Sequence, residues 1–266
     1  MKLLIAGFGD LGSTLAQTCL TTPGWQQTKI LAVRRNPPAA TPDTEISWIK
    51  ADLSKAETLA GVAEQARDIT HVVYCAAPGE RTEAAYRATY LTGLQSLLTA
   101  LNTAEPRPQL LFVSSTAVYD SQAQGLLDES SPTAPRGFNG KILLEAEHWL
   151  QTNWPSALIL RLSGIYGPGK SGLLGSIAAG TTTIPASPDF VANRIHIEDA
   201  ARAILHLFDR KASGVFIGTD SHPMPLATLY RKLAAMLGAP EPKQGEPSPM
   251  MGKKKTVQSK VVVNGF

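Results

Sequence analysis

Cysteine is scarce. Two stand in 266 residues, Cys19 and Cys75, with no C-x-x-C pair and no histidine at metal-ligand spacing from either. A disulfide framework and a structural zinc site are therefore excluded as organising devices, and two free thiols in a reducing cytoplasm are expected. No apolar run reaches the roughly 18 residues of a membrane span, so no partner membrane is expected. The first apolar strand begins at residue 2, so no secretory leader is expected. Charge is sparse as well. Charged residues make up 18% of the chain and the formal net charge is +3. No arginine-rich stripe occurs, so nucleic acid is not an expected partner. The five histidines have no companions that suggest a metal centre, and His196, in the alternating run Arg194 to Ile197, reads as a structural contact.

What the chain does have is short apolar runs, with 43% hydrophobic residues, enough for a sizeable core. Runs at 3–6, 29–33, 46–49, 71–75, 109–113, 157–160 and 214–217 read as seven strands. Helical patterns separate them, starting near Leu11, at Ser54 to Ala66, and at 82–101, 141–150 and 200–208. Ser54 reads as an N-cap, with Glu57 completing a capping box. A further amphipathic helix, 226–237, is ended by Gly238. This alternation predicts an α/β fold: a Rossmann-type, doubly wound, mainly parallel seven-stranded sheet covered on both faces. After Gly169 the composition turns to Gly, Ser, Thr and Pro. The expected organisation is a sheet domain of 1–165 plus 194–219 and a small C-terminal substrate lobe of 166–193 plus 220–266. The basic run Lys253 to Lys255 reads as a solvated tail.

The first strand runs into Gly7, Phe8, Gly9, Asp10, Leu11 and Gly12, a G-x-G-x-x-G turn with a strand before it and a helix after it. Gly7 permits the sharp turn, Gly9 lets the backbone approach a pyrophosphate, and Gly12 lets the helix pack closely on the strand. The anion would sit on the free N–H groups and positive dipole end of that helix.

With those landmarks in order, the sequence resembles the short-chain dehydrogenase/reductase superfamily, in its extended epimerase/dehydratase branch or its atypical relatives. The resemblance spans residues 1 to about 240. It is carried by the glycine turn, by Ala51-Asp52-Leu53, by Cys75-Ala76-Ala77, by the run Ser114 to Tyr119, by Gly164-Ile165-Tyr166-Gly167-Pro168 and by Arg194 to Asp199. It implies that Asp52 and Leu53, the Cys75–Ala77 loop, Gly164 and Ile165 border a dinucleotide. It also implies a small-molecule substrate, and a homodimer through helices 82–101 and 141–150.

The coenzyme can be argued from charge. NAD binders usually end their second strand on an acidic residue that bonds the ribose hydroxyls. Here Arg34 and Arg35 stand there, and Asp43 and Glu45 lie well downstream. A guanidinium suits a 2′-phosphate, so NADP is expected over NAD.

The catalytic layer departs from the family pattern. The family's Ser/Thr, which polarises a substrate oxygen, is matched by Ser115. Its Lys, which holds the nicotinamide ribose, is matched by Lys141. Its Tyr, four residues before the Lys, is matched by Gly137. A literal Y-x-x-x-K, Tyr166 to Lys170, encloses Gly-Pro-Gly, a turn, and does not place the two on one helix face. Either Tyr119 or Tyr166 supplies the proton, or Ser115 and Lys141 serve without a phenol, or the chain binds NADP(H) without turnover as a sensor or scaffold. The leading expectation is an NADP-dependent oxidoreductase or epimerase/dehydratase-like protein acting on a small carbonyl or hydroxyl compound, with Ser115, Lys141 and Tyr119 at the chemistry.

Overall fold

A computed structural model describes residues 1–38, 46–102, 105–123, 125–185, 190–245 and 255–257. Seven strands form one sheet: β1 (Lys2–Ala6), β2 (Lys29–Arg34), β3 (Ile46–Lys50), β4 (His71–Tyr74), β5 (Gln109–Ser115), β6 (Leu158–Leu162) and β7 (Gly214–Gly218). Their order is β7-β6-β5-β4-β1-β2-β3, and every pairing is parallel. The order reverses between β1 and β4. Connections leave the sheet in opposite directions there and open a crevice beyond the carboxyl ends of the two strands.

The helices are α1 (Asp10–Thr21), α2 (Ala60–Glu64), α3 (Glu83–Arg87), α4 (Gly93–Ala100), α5 (Phe138–Asn153), α6 (Gly172–Ala178), α7 (Ile197–Asp209) and α8 (Leu226–Leu237). Strand alternation divides the apolar residues between two cores. Leu3 and Ile5 pack with Leu15 and Cys19 of α1 and Ala201 and Ile204 of α7. Leu4 and Ala6 pack with Val62 of α2, Leu97 of α4 and Leu143 of α5. Burial on both faces is why these strands read as continuous apolar runs. A third cluster, Ile177, Ile184, Ala192, Leu226, Tyr230 and Ala234, joins α6 to α8. Gly238, at φ +62°, closes α8 in the left-handed conformation the sequence suggests.

Two local expectations are corrected. Ser54 caps nothing. Its hydroxyl donates to the Asp52 carboxylate at 2.7 Å, and the 3-10 turn that follows, Ala56–Leu59, has no side-chain cap. The Asp side chain competes for the local donors more effectively than the helix start does. The helix expected over 82–101 is broken by a π turn, Ala88–Thr92. The Gly93 N–H bonds the Ala88 carbonyl, five residues back. That leaves the Thr89 carbonyl to accept from the buried Tyr74 hydroxyl. A Cβ on Gly93 would lie 2.5 Å from that hydroxyl, so the glycine admits the intruding phenol. A side chain inserted into the ladder is a usual cause of such a bulge. Lys253 and Lys254 lie outside the described residues, as do Asp43 and Glu45.

Candidate active site

A cavity of about 820 Å³ lies along the carboxyl ends of β1, β2, β4, β5 and β6. That is the upper part of the range for small-molecule pockets. Its centre is the glycine turn. Gly7 has φ +99°, and a Cβ there would lie 2.3 Å from the Ala76 backbone, so the β1 and β4 loops touch at the strand reversal only because residue 7 is glycine. Gly12 lies behind the cavity. A Cβ on it would meet the Gly7 carbonyl oxygen at 2.7 Å, which is the close helix–strand approach the spacing implies. Gly9 faces open space, with nothing within 4 Å of an ideal Cβ. It is the N-cap of α1, and no side chain caps that helix. The first N–H groups of α1 therefore remain available to an anion beside a backbone that leaves room for it.

Phe8, Asp10 and Leu11 also line the cavity. The Phe8 ring is held edge-on against Trp48 of β3, centroids 4.8 Å apart. Asp10 is paired with Lys170, Nζ to Oδ2 2.7 Å. Lys170 reaches it from the 167–170 turn, where Gly167 and Gly169 have φ +128° and +81°. Tyr166 ends a short strand paired with Arg194–His196, and Lys170 closes the turn that follows it, so the two do not share a helix face. Lys170 lines the cavity, whereas Tyr166 packs its ring on His196, centroids 5.2 Å apart. His196 caps α7 by accepting the Glu198 N–H at its Nδ1.

At one end, Arg34, Arg35 and Asn36 meet Asp52, Leu53 and Ser54. Arg34 and Arg35 are exposed. Hydrogen bonds from Ser54 hold the Asp52 carboxyl below the usual carboxylate range, with a smaller contribution from the Arg35 charge. Gly79 leaves a gap beside the Arg35 guanidinium.

At the other end the cavity is walled by Tyr90, Val113, Ser114, Ser115, Leu162 and Ser163. The two serines at the end of β5 differ. Ser114 donates its hydroxyl hydrogen to Glu147. The Ser115 oxygen accepts the Ala117 N–H at 3.1 Å, which leaves its own hydrogen free to donate into the cavity. The buried Ser163 hydroxyl has no partner among the described residues, a polar atom whose burial calls for a bonded ligand or water. Cys75, Ala76, Ala77 and Ile165 also line the cavity, while Gly164 packs against Arg194 behind it.

The structure does not bring Tyr119 and Lys141 to this wall. Tyr119 is 1% exposed and does not line the cavity. Its hydroxyl donates to the Asp128 carbonyl and accepts from Arg161, each at 2.9 Å. Burial pushes its pKa up, with Arg161 opposing. Lys141 is exposed and also absent from the lining. The reason is helical geometry. The inward face of α5 carries Gly140, Leu143 and Glu147, all buried. Lys141 precedes Glu147 by six residues, about 120° around the helix. At Gly137, a Cβ would meet the Asn139 side-chain oxygen at 2.6 Å, so an amide and not a phenol stands beside that position.

Sequence reasoning missed what holds this wall in place. Glu147, 1% exposed, accepts from Arg161 at 2.6 Å (Nη2) and from its Nε at 3.1 and 3.2 Å, as well as from Ser114. Burial opposes the Arg161 charge, but its bonds and attraction to Glu147 prevail and raise its pKa. The signal was present: a glutamate in the apolar stripe of α5 and an arginine in the middle of the apolar run of β6 each require a partner.

A sheet of this order, with a glycine turn and an open helix N-terminus at its reversal point, is a Rossmann-type nucleotide-binding architecture. The profile of the NAD dependent epimerase/dehydratase family matches residues 3–217, and the chain belongs to that family. Protein YeeZ of Escherichia coli strain K12 is 32% identical over 278 residues, spanning 99% of this chain and 93% of YeeZ. A Methylobacillus flagellatus structure, assigned to the NAD-dependent epimerases/dehydratases, is 34% identical with a TM-score of 0.73, over 97% of this chain and 88% of that one. DesIV, a dTDP-glucose 4,6-dehydratase from Streptomyces venezuelae solved with NAD and DAU bound, is alike in fold: TM-score 0.81 at 18% identity, over 97% of this chain and 88% of DesIV. Among the described residues no helix is long and apolar enough to cross a membrane, and no cluster of three or more metal-ligating side chains occurs.

Proposed function

We propose that the protein is an NADP-dependent oxidoreductase that moves hydride between the dinucleotide and a small carbonyl or hydroxyl compound. The observation that carries the coenzyme is the pair Arg34 and Arg35, lining the cavity at the end of β2 where an NAD binder would have a carboxylate. Two guanidinia there suit a 2′-phosphate. Gly9 and the uncapped start of α1 fit the pyrophosphate, Asp52 the adenine amino group, and the unpartnered Ser163 hydroxyl a polar group at the nicotinamide end. When bound, the dinucleotide supplies or accepts the hydride. Ser115 donates its free hydroxyl hydrogen to the substrate oxygen and stabilises the charge that develops there. Ser114 cannot take that role because its hydrogen is committed to Glu147.

Titration of NADPH and NADH against the protein tests this reading. NADPH is expected to bind at least about 10-fold tighter, and the double variant Arg34→Ala, Arg35→Ala to remove most of that preference. Equal affinities, or no effect of the double variant, would sink the coenzyme argument. A second reading, an NADP(H)-binding sensor without turnover, is favoured by one observation: Lys141 does not reach the cavity. Under it, Ser115→Ala leaves every measured property of the NADPH-loaded protein unchanged.

A further inference from the structure

We propose that Tyr90 is the phenol that serves the reacting oxygen in this cavity, as hydrogen-bond donor and proton source. The inference rests on the hydride-transfer reading above. The chain has six tyrosines, and among them Tyr90 is the one that lines the cavity. The other hydroxyls are engaged or elsewhere. Tyr74 donates to the Thr89 carbonyl. Tyr119 bonds Arg161 and Asp128 below the floor. Tyr230 bonds Arg194. Tyr86 and Tyr166 lie outside the lining. The Tyr90 hydroxyl has no hydrogen-bond partner among the described residues, while its ring is fixed between Tyr86 and Phe112, at centroid distances of 5.5 and 6.4 Å.

Position along the wall follows from strand geometry. Phe112 and Ser114 are two residues apart on β5 and share a face. The Ser114 hydroxyl marks that face, because it bonds Glu147 of α5. Tyr90 packs on Phe112 of that face and borders the cavity that Ser114 and Ser115 also line. The π turn contributes to this placement. One extra residue in the turn rotates the side chains that follow, and the turn exists because Tyr74 enters the helix at Gly93. Burial raises the Tyr90 pKa, so the phenol keeps its proton until an oxygen that gains negative charge lies against it.

In the reducing direction the bound dinucleotide would supply a hydride to the carbonyl carbon, and the C=O π pair would move onto oxygen. Tyr90 breaks its O–H bond to give that oxygen a proton, and the phenolate takes a proton back from water. Ser115 donates to the same oxygen and remains intact. The oxidising direction runs in reverse.

The test is 13C NMR of the full-length protein labelled at tyrosine Cζ, with the Tyr90 resonance identified by its loss in Tyr90→Phe. That variant removes a hydroxyl with no hydrogen-bond partner among the described residues, so it should fold, and its NADPH affinity should stay within about twofold of wild type. Saturating NADP+ should shift the Tyr90 resonance while leaving that of Tyr119 unmoved. Binding with an unmoved Tyr90 overturns this inference alone. No binding of either dinucleotide overturns it together with the proposed function. For any carbonyl the wild type reduces, Tyr90→Phe should lose about 100-fold in kcat; an unchanged kcat would also overturn the assignment.

Discussion

Replacing Glu147 by alanine should unfold the protein at markedly lower temperature. Glu147 and Arg161 are 1% and 5% exposed. The carboxylate accepts from both Nε and Nη2 of the guanidinium and from Ser114. Its removal leaves a buried cation whose remaining partner among the described residues is Tyr119, through its hydroxyl oxygen and its ring. Breaking a buried pair from one side costs about 3–5 kcal/mol, because the remaining charge keeps its desolvation penalty. A chain of this length loses about 2–4 °C of Tm per kcal/mol, so a fall of about 10 °C is expected by differential scanning calorimetry. Two companions sharpen the test. Glu145→Ala, on the same helix, removes the half-exposed pair with Arg87 at 2.9 Å and should leave Tm near wild type. The double variant Glu147→Leu, Arg161→Met should recover part of the loss, since no charge is stranded. A Glu147→Ala protein that melts with the wild type would refute the claim that this pair holds the serine wall.

Gly7→Ala should fail to accumulate as folded protein, because φ +99° and a 2.3 Å approach to the Ala76 backbone both forbid a Cβ. Gly9→Ala should keep its circular dichroism and Tm yet lose at least about 10-fold in NADPH affinity, since its Cβ enters open space that a pyrophosphate would need. Asp52 has a depressed folded pKa, so its contribution to stability is present above the unfolded value and is lost as pH falls through the folded value. Asp52→Asn should accordingly be less stable than wild type at pH 7 in urea, with the gap closing as pH falls below the usual carboxylate range; a gap that persists in acid would contradict the shift. Burial pushes the Cys19 and Cys75 thiols up to about 12. A thiol reagent at pH 8 should therefore titrate neither in the native protein and both in denaturant.

The sheet was legible because its strands are short apolar runs bounded by turn residues, and burial on two faces leaves that mark most clearly in the central strands β1, β4 and β6. The glycine turn was legible because Gly7, Gly9 and Gly12 answer to local backbone demands. The serine wall was legible only in part. Ser115 lies in a recognisable run, but its distinction from Ser114 depends on Glu147, which is 33 residues away. The placement of Lys141 outside the cavity lining was not legible, because its position in sequence says nothing of the helix face it occupies, and that face is chosen by Leu143 and Glu147. Tyr90 was unreadable for a related reason. The π turn that carries it is set by the Tyr74 hydroxyl on another strand, and an unbroken helical pattern hides it.

The most direct test of the central claim is a pair of calorimetric titrations, NADPH and NADH into the wild-type chain at one salt concentration, repeated with Arg34→Ala, Arg35→Ala. The account predicts one site per chain, NADPH bound at least about 10-fold more tightly than NADH, and that ratio falling toward one in the double variant. No heat from either dinucleotide, or a preference for NADH that the arginines do not affect, would contradict it.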